Sequence, residues 1–141
     1  MLELRPFERQ DVFDVELDYE LTKEARFGLS NYENIAGYTM VEGDKLIAVG
    51  GAHIMWFGVG ELWLLLSPEG KRRGGSFARL TKGIVDDICK DHNLRRMQAS
   101  IHADDQNAIR FAEWLGLEHE GLMRSYGVRG EDYLRMARIY L

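Results

Sequence analysis

Leu66-Ser67-Pro68-Glu69-Gly70-Lys71-Arg72-Arg73-Gly74-Gly75-Ser76 decides how the rest of the chain is read. Before it, Glu61-Leu62-Trp63-Leu64-Leu65-Leu66 predicts a strand apolar on both faces and therefore central in a sheet. After it, Phe77, Leu80, Ile84 and Ile88 recur at helical spacing, with Ala78, Thr81, Val85 and Cys89 widening the stripe. That pattern predicts a long amphipathic helix to about Asp91. A strand, a short basic glycine loop and a helix start together present unpaired backbone N–H groups to an anion, for which phosphate is the natural candidate. Lys71, Arg72, Arg73, Arg79 and Lys82 gather positive charge there, although the chain carries a formal net charge of -5. Gly74 and Gly75 remove the side chains that would hold a pyrophosphate off the backbone. The competing reading is a glycine helix entry with a solvated basic face.

Working outward, Leu2 and Leu4 alternate with Glu3 and Arg5 before Pro6, predicting a first strand, then a helix from about Asp11 to Leu21 with Phe13, Leu17 and Leu21 on its buried face. Thr22 to Glu33 reads as a short helix and a loop over a site. Ala36 to Val41 and Leu46 to Ala52 flank Glu42-Gly43-Asp44-Lys45, an antiparallel hairpin, and a second turn falls at Phe57-Gly58. Arg96 to His102 reads as a strand, and Ala108, Phe111, Ala112 and Leu115 mark a helix that Gly116 stops. Glu118 to Tyr126 and Asp132 to Tyr140 bracket Gly127-Val128-Arg129-Gly130-Glu131 as a closing hairpin. The order gives an α/β or α+β fold around a mixed sheet.

Composition narrows the function. A length of 141 residues fits one compact domain over 1–141, and 45% hydrophobic with 29% charged residues is ordinary for a globular chain. The acidic balance argues against a nucleic-acid partner. Cys89 is the sole cysteine, so no intramolecular disulfide or cysteine-based zinc site forms, and a reducing cytoplasm is the expected location. Met1-Leu2-Glu3-Leu4-Arg5-Pro6 lacks the apolar run of a secretory signal, so the mature chain is expected to start at residue 1. The uncharged stretch from Leu46 to Gly60 is shorter than the roughly 20 residues of a membrane-spanning helix, and no membrane partner is expected.

The loop lacks the Gly-x-x-x-x-Gly-Lys-Ser/Thr of a P-loop, and no Gly-x-Gly-x-x-Gly follows the first strand, which disfavours ATP and NAD. Leu66 to Ser76 instead resembles the acetyl-CoA motif of GNAT N-acetyltransferases, with Arg73-Gly74 in register, Lys71 at the Gln/Arg place and Ser76 at the Gly/Ala place. Asp105 to Leu117 resembles the family's Asn-x-x-Ala-x-x-x-Tyr-x-x-x-Gly-Phe signature, and Glu120 to Tyr126 its penultimate strand. The run from Trp114 to Gly127 resembles small members encoded by tailed phages. The resemblance implies a GNAT-like, mostly antiparallel sheet with a splayed parallel strand pair and flanking helices. It implies acetyl-CoA as cofactor: the pantetheine arm along Leu64, Leu65 and Leu66, the pyrophosphate on the amides of Arg72, Arg73, Gly74, Gly75, Ser76 and Phe77 beside Lys71, and Asp105 meeting the arm.

Transfer to an amine needs a base, an oxyanion donor and a proton for the leaving thiolate. A backbone N–H near Leu65 serves as oxyanion donor. The family's tyrosine is replaced by Ala112, and the place of a base on the preceding strand holds Ser100. Glu61 is the candidate base, acting through a water, against the simpler reading of a solvated strand-end carboxylate. Tyr126 is the candidate acid, against a packing role in the sheet. His102 is read as a surface hydrogen-bonder, Cys89 as core, and His53, His92 and His119 have no metal-ligand spacing, so no metal is expected. Trp56, Trp63 and Trp114 are expected to pack the core or line the acceptor side. The expected function is direct N-acyl transfer from acetyl-CoA to an amine of a small molecule or peptide, with a homodimer allowed. The alternatives are a catalytically silent GNAT-fold binding or structural module and a phosphate-ligand sensor.

Overall fold

Glu42 pairs with Lys45 across Gly43-Asp44, and Gly43 turns at φ 61°, a left-handed conformation that glycine adopts without a Cβ clash. That turn joins β2 (Ile35–Glu42) to β3 (Lys45–Trp56), and Phe57-Gly58 joins β3 to β4 (Val59–Leu66). β1 (Glu3–Pro6) adds to the edge of β2. A second antiparallel group forms from β5 (Arg96–His102), β6 (Glu118–Met123) and β7 (Tyr133–Ile139). The two groups meet in one parallel pairing, β4 with β5, giving a seven-stranded sheet in the order β1-β2-β3-β4-β5-β7-β6. The computed structural model describes residues 1–31 and 33–140; Tyr32, in the segment read as helix and loop, and Leu141 lie outside the described residues.

Helices cover both faces. α4 (Gly75–Asp91) and α5 (Gln106–Trp114) pack the larger core, where Ile84, Val85, Ile88 and Cys89 meet Met97, Ala99, Ala112 and Met136. Fully burying a side chain such as Ile88 contributes about 1.5–3 kcal/mol. α5 ends as its sequence predicts: Gly116 takes φ 95°, Leu117 N–H donates to Ala112 O at 3.0 Å and Gly116 N–H to Glu113 O at 2.9 Å. On the other face, α1 (Asp11–Asp14) and α2 (Lys23–Ser30) cover a smaller cluster in which Val12 and Val15 meet Val49 and Leu65. A short α3 (Pro68–Lys71), capped by Ser67 Oγ accepting from Gly70 N–H at 3.1 Å, bridges β4 to α4.

Three expectations need correction. The first helix ends at Asp14, because Val15 turns extended at ψ 131° and Arg26 Nη1 satisfies the freed carbonyl of Val12 at 2.7 Å. Leu17 and Leu21, in the segment that follows, still pack against the core, but the segment is irregular rather than helical. The penultimate strand stops at Met123, since Ser125 at φ 55° turns the chain and leaves Tyr126 in the β6–β7 loop. Trp56 and Trp114 lie at element ends, more than half exposed in the first case and 50% in the second, and only Trp63 lines the cleft.

Candidate functional site

β4 and β5 pair from Val59↔Arg96 to Leu62↔Ala99 and then part. Each keeps its outer partner: β4 pairs with β3 as far as Leu66↔Ala48, and β5 with β7 as far as His102↔Tyr133. The opening is therefore a wedge inside an intact sheet. From Trp63 to Leu66 the β5-facing edge of β4 has no strand partner. The wedge opens into a cavity of about 1080 Å³ lined by residues of the α4 start, by Trp63 and Ser100, and by Tyr19 and Arg129. Leu64, Leu66, Lys71, Gly74, Phe77 and Asp105 line it.

At the α4 end the donors are backbone. The first N–H to bond back into the helix belongs to Ala78, which donates to Gly74 O at 3.1 Å, so the amides of Gly75, Ser76 and Phe77 stand outside the helical ladder. Gly74 has φ 55° and ψ -121°, a conformation open to glycine, and a Cβ built there would meet nothing within 4 Å. An anion can approach that surface unhindered. The amides of Arg72 and Arg73, read from the sequence as further anion donors, instead donate to Glu69 O at 3.2 Å and Gly70 O at 3.1 Å, closing the α3 turn.

Local carboxylates hold the basic side chains of this loop. Lys71 Nζ donates to both oxygens of Asp18 at 2.8 and 2.9 Å, Arg72 pairs with Glu69, and Arg73 pairs with Glu42. The Lys71 bond holds the Asp18 carboxyl below the usual carboxylate range. Arg79 Nη1 lies 3.1 Å from the place a Cβ on Gly75 would take, so its guanidinium flanks the open amides.

Beside the vertex, where β4 and β5 are still paired, side chains from three strands meet; of these only Ser100 lines the cavity, and Glu61 does not. Glu61 on β4 accepts at Oε1 from Gln98 Nε2 at 2.8 Å and from Arg135 Nη1 at 2.9 Å. Its Oε2 accepts from Ser100 Oγ at 3.5 Å, a long contact. Glu61 is thus a braced, largely covered carboxylate, 23% accessible, rather than a solvated strand end. Strand alternation explains the convergence: Glu61, Gln98 and Ser100 lie on the sheet face away from α4, and Arg135 pairs with Ser100 across β5 and β7. Neither Gln98 nor Arg135 was picked out from the sequence. The available signal was an arginine between Leu134 and Met136, in a strand that also carries Arg138.

Tyr126 is 51% exposed and does not line the wedge; its ring packs on Tyr133 at 5.4 Å, and Tyr133 does line it. Burial, aided by Glu131 and Tyr126, raises the Tyr133 phenol above its ordinary value. His102 packs on the same ring at 5.5 Å and accepts from Asp104 N–H at 3.2 Å, a local structural role. Asp105 caps α5 by accepting from Ala108 N–H at 3.0 Å. Leu64 and Leu65 stand in register with Gly50 and Val49 of β3. Two further segments border the cavity, the stretch between α1 and α2 and the β6–β7 loop, tied by Arg129 Nη2 to Glu20 Oε2 at 2.7 Å. Among the described residues no cluster of metal ligands occurs, and no helix is long and apolar enough to cross a membrane.

Three open amides at a helix start, a wedge between parting parallel strands and a braced carboxylate beside the vertex are the elements of this site. The acetyltransferase (GNAT) family model matches residues 1–117, and the chain belongs to that family of acyl-transfer enzymes. The fold agrees with solved structures. The ribosomal-protein-S18-alanine N-acetyltransferase from Escherichia coli superposes with a TM-score of 0.80 at 19% identity, covering 99% of this chain and 94% of that one. Ard1 from Thermoplasma volcanium gives 0.79 at 18% identity, covering 99% and 98%. A mutant of SpeG spermidine N-acetyltransferase from Vibrio cholerae gives 0.73 at 20% identity, covering 98% and 93%. No curated protein matches the sequence significantly.

Proposed function

We propose that residues 1–141 form one acyltransferase domain that moves an acetyl group from acetyl-CoA directly to an amine of a small molecule or peptide. The observation that supports this most is a match of lengths. From Leu66 back to Leu62 the strand rises about 13 Å. A pantetheine arm, about twelve bonds from phosphate oxygen to sulfur, extends about 14 Å at the rise per bond of an extended backbone. With its pyrophosphate on Gly75, Ser76 and Phe77, the arm brings its sulfur to the vertex of the wedge, beside Glu61 and Ser100.

The described residues fit that arm on independent grounds. Thr81 Oγ1 is buried without a hydrogen-bond partner, and Thr81 lines the cavity one turn and more below the open amides. An amide or hydroxyl of the arm supplies the missing partner. The unpaired edge of β4 offers backbone groups in the same direction.

Bound acetyl-CoA supplies an activated thioester; the reaction forms a C–N bond and breaks the C–S bond. Glu61 Oε2, the carboxylate oxygen not taken by Arg135 and Gln98, accepts the amine proton through a water. Arg135 and Gln98 fix that oxygen's direction. Tyr133, from the wall of the wedge, donates the proton that the leaving sulfur requires, and Tyr126 supports Tyr133 from behind. A free N–H at the level of Leu65 faces the developing oxyanion. Glu20, Asp18 and Arg129 edge the mouth through which the amine enters.

The test is calorimetric binding of CoA and acetyl-CoA, followed by thiol release across a panel of small and peptide amines. Binding together with release above the solution rate is the expected result. Absence of binding at millimolar CoA removes the reading, and binding without release on any amine favours the silent module.

A further inference from the structure

Ser100 is the first β5 residue beyond the last β4–β5 pair, Leu62↔Ala99, and strand alternation puts it on the face that carries Gln98 and its register partner Glu61. Of Glu61, Gln98, Arg135 and Ser100, it is Ser100 that lines the cavity. Gln98 and Arg135 both donate to Glu61 Oε1, which leaves Oε2 to Ser100 Oγ at 3.5 Å. A hydroxyl has one proton to donate and two lone pairs with which to accept. Facing a carboxylate, which only accepts, Ser100 directs its proton to Oε2 and keeps its lone pairs for a ligand in the cavity. A serine alone is a poor base, but one whose proton has a carboxylate to go to is an effective one. His102, two residues further on, also lines the cavity, yet its Nδ1 already accepts from Asp104 N–H at 3.2 Å.

We infer that Ser100 is a catalytic residue of the acyl transfer, its hydroxyl carrying the amine proton to Glu61. The inference rests on the acyl-transfer reading above and alters one feature of it, since Ser100 Oγ takes the place given there to a water. As the amine nitrogen bonds to the thioester carbonyl carbon, its proton passes to Ser100 Oγ while the Ser100 proton passes to Glu61 Oε2. The C–S bond breaks with its electron pair going to sulfur, which takes a proton from Tyr133. Serine ends the turnover as it began; Glu61 gives its proton to solvent and Tyr133 regains one. Nitrogen, not Oγ, attacks the carbonyl, so no acyl-serine forms. At 3.5 Å the bond is long, and proton transfer along it requires the hydroxyl to close on Oε2 as the amine binds. The relay accounts for how a carboxylate that does not line the cavity acts on an amine inside it.

Threonine and valine at this position separate the hydroxyl from its shape. Both are β-branched, suit a strand and fill nearly the same space, so any steric effect is common to the two. In thiol-release assays on the amine panel, Ser100→Val should lose about 100-fold or more in kcat, whereas Ser100→Thr should recover turnover to within about tenfold of the wild type. Both variants should melt cooperatively and bind CoA with the affinity of the wild type, so that the loss falls on kcat. Adding Ser100→Val to Glu61→Gln should cost nothing further, as expected of two groups on one proton path. Equal turnover by the valine and threonine variants overturns the relay and leaves Glu61 acting through a water; an additive loss in the double variant does the same. Acetylation of Ser100 by acetyl-CoA alone, read by peptide mass spectrometry, overturns it in favour of a covalent route. Absence of thiol release by the wild type on every amine removes the acyl-transfer reading, and the relay with it.

Discussion

At the α4 end of the cleft the groups on offer are the backbone amides of Gly75, Ser76 and Phe77, whereas at the Glu61 end they are side chains that brace one another across β4, β5 and β7. The first arrangement comes with the helix itself: any sequence that starts a helix there presents those donors, with no rotamer to order and no residue whose loss removes them. The second exists only as a set. Remove Arg135 and the Glu61 carboxylate loses one of the two donors to Oε1, and with it the direction of Oε2. One end tolerates side-chain change, the other does not, and substitutions at the two ends should separate binding from turnover.

The largest effect should come from placing a carboxylate on the amides. In Gly75→Asp the new side chain meets the flexible end of Arg79 rather than backbone, and an acid in the first turn favours the helix. The fold should hold or gain slightly in melting temperature. CoA affinity should fall more than 100-fold, since two or more charge-assisted hydrogen bonds at about 1.5–3 kcal/mol each are lost. Gly74 is the poorer test, because any side chain at φ 55° adds backbone strain to the charge effect. Normal CoA binding by Gly75→Asp would show that the anion sits elsewhere.

At the other end, Glu61→Gln keeps the size of the side chain and removes the base. Turnover should drop about 100-fold or more with CoA affinity near that of the wild type. Tyr133→Phe should lower turnover more than Tyr126→Phe, as the first lines the wedge and the second only backs it. A larger loss from Tyr126→Phe would reverse that assignment.

A third break concerns the support behind the Glu61 face. Asp11, 2% exposed, accepts from Arg5 at 2.7 and 2.9 Å, from Thr39 Oγ1 at 2.7 Å and from Glu8 N–H at 2.9 Å. Burial opposes its ionisation, but the bonds from Arg5, Thr39 and Glu8 outweigh it and hold the carboxyl below the usual range. A depressed folded-state value means that this stability is complete above the unfolded carboxylate range, about 3.9, and is lost as the pH falls through the lower folded value. Asp11→Asn should cost about 3 kcal/mol near neutral pH by urea unfolding, with a shallower loss in acid than the wild type shows. Equal acid slopes would mean that another carboxylate dominates.

The same contrast explains what could be read from the sequence. The hairpin at Gly43, α4 from its stripe, the stop at Gly116 and β5 over Arg96–His102 were legible because each follows from local spacing or turn chemistry. The open helix start at Gly75, Ser76 and Phe77 was legible for the same reason, a strand, a glycine loop and a helix start in succession, while the closed amides of Arg72 and Arg73 were not. The Glu61 end was only half legible. Gln98 and Arg135 reach Glu61 from 37 and 74 residues away, and nothing local to either marks the meeting. The first helix misled because Arg26, outside its window, satisfies Val12 O and lets the chain leave the helix at Val15.

The smallest effect, and the sharpest on the borderline between the two kinds of group, belongs to Lys71. Its ammonium lines the cleft beside the amides yet is held by Asp18, with side chains 49% and 44% accessible. An exposed pair of this kind contributes about 0–1 kcal/mol, so the lysine can leave Asp18 for a phosphate at little cost and with little gain. Lys71→Met should weaken CoA binding by no more than about fivefold, and Asp18→Asn should strengthen it by a similar factor, because the lysine is then released toward the phosphate. Both effects should shrink as ionic strength rises above about 0.15 M, while the contribution of the backbone amides, being covered by the ligand, changes less. Titrations of the two variants at low and high salt measure this directly. If Asp18→Asn weakens binding instead, the carboxylate is holding the segment between α1 and α2 in its cleft-forming position, and the pair belongs with the braced side chains rather than with the amides.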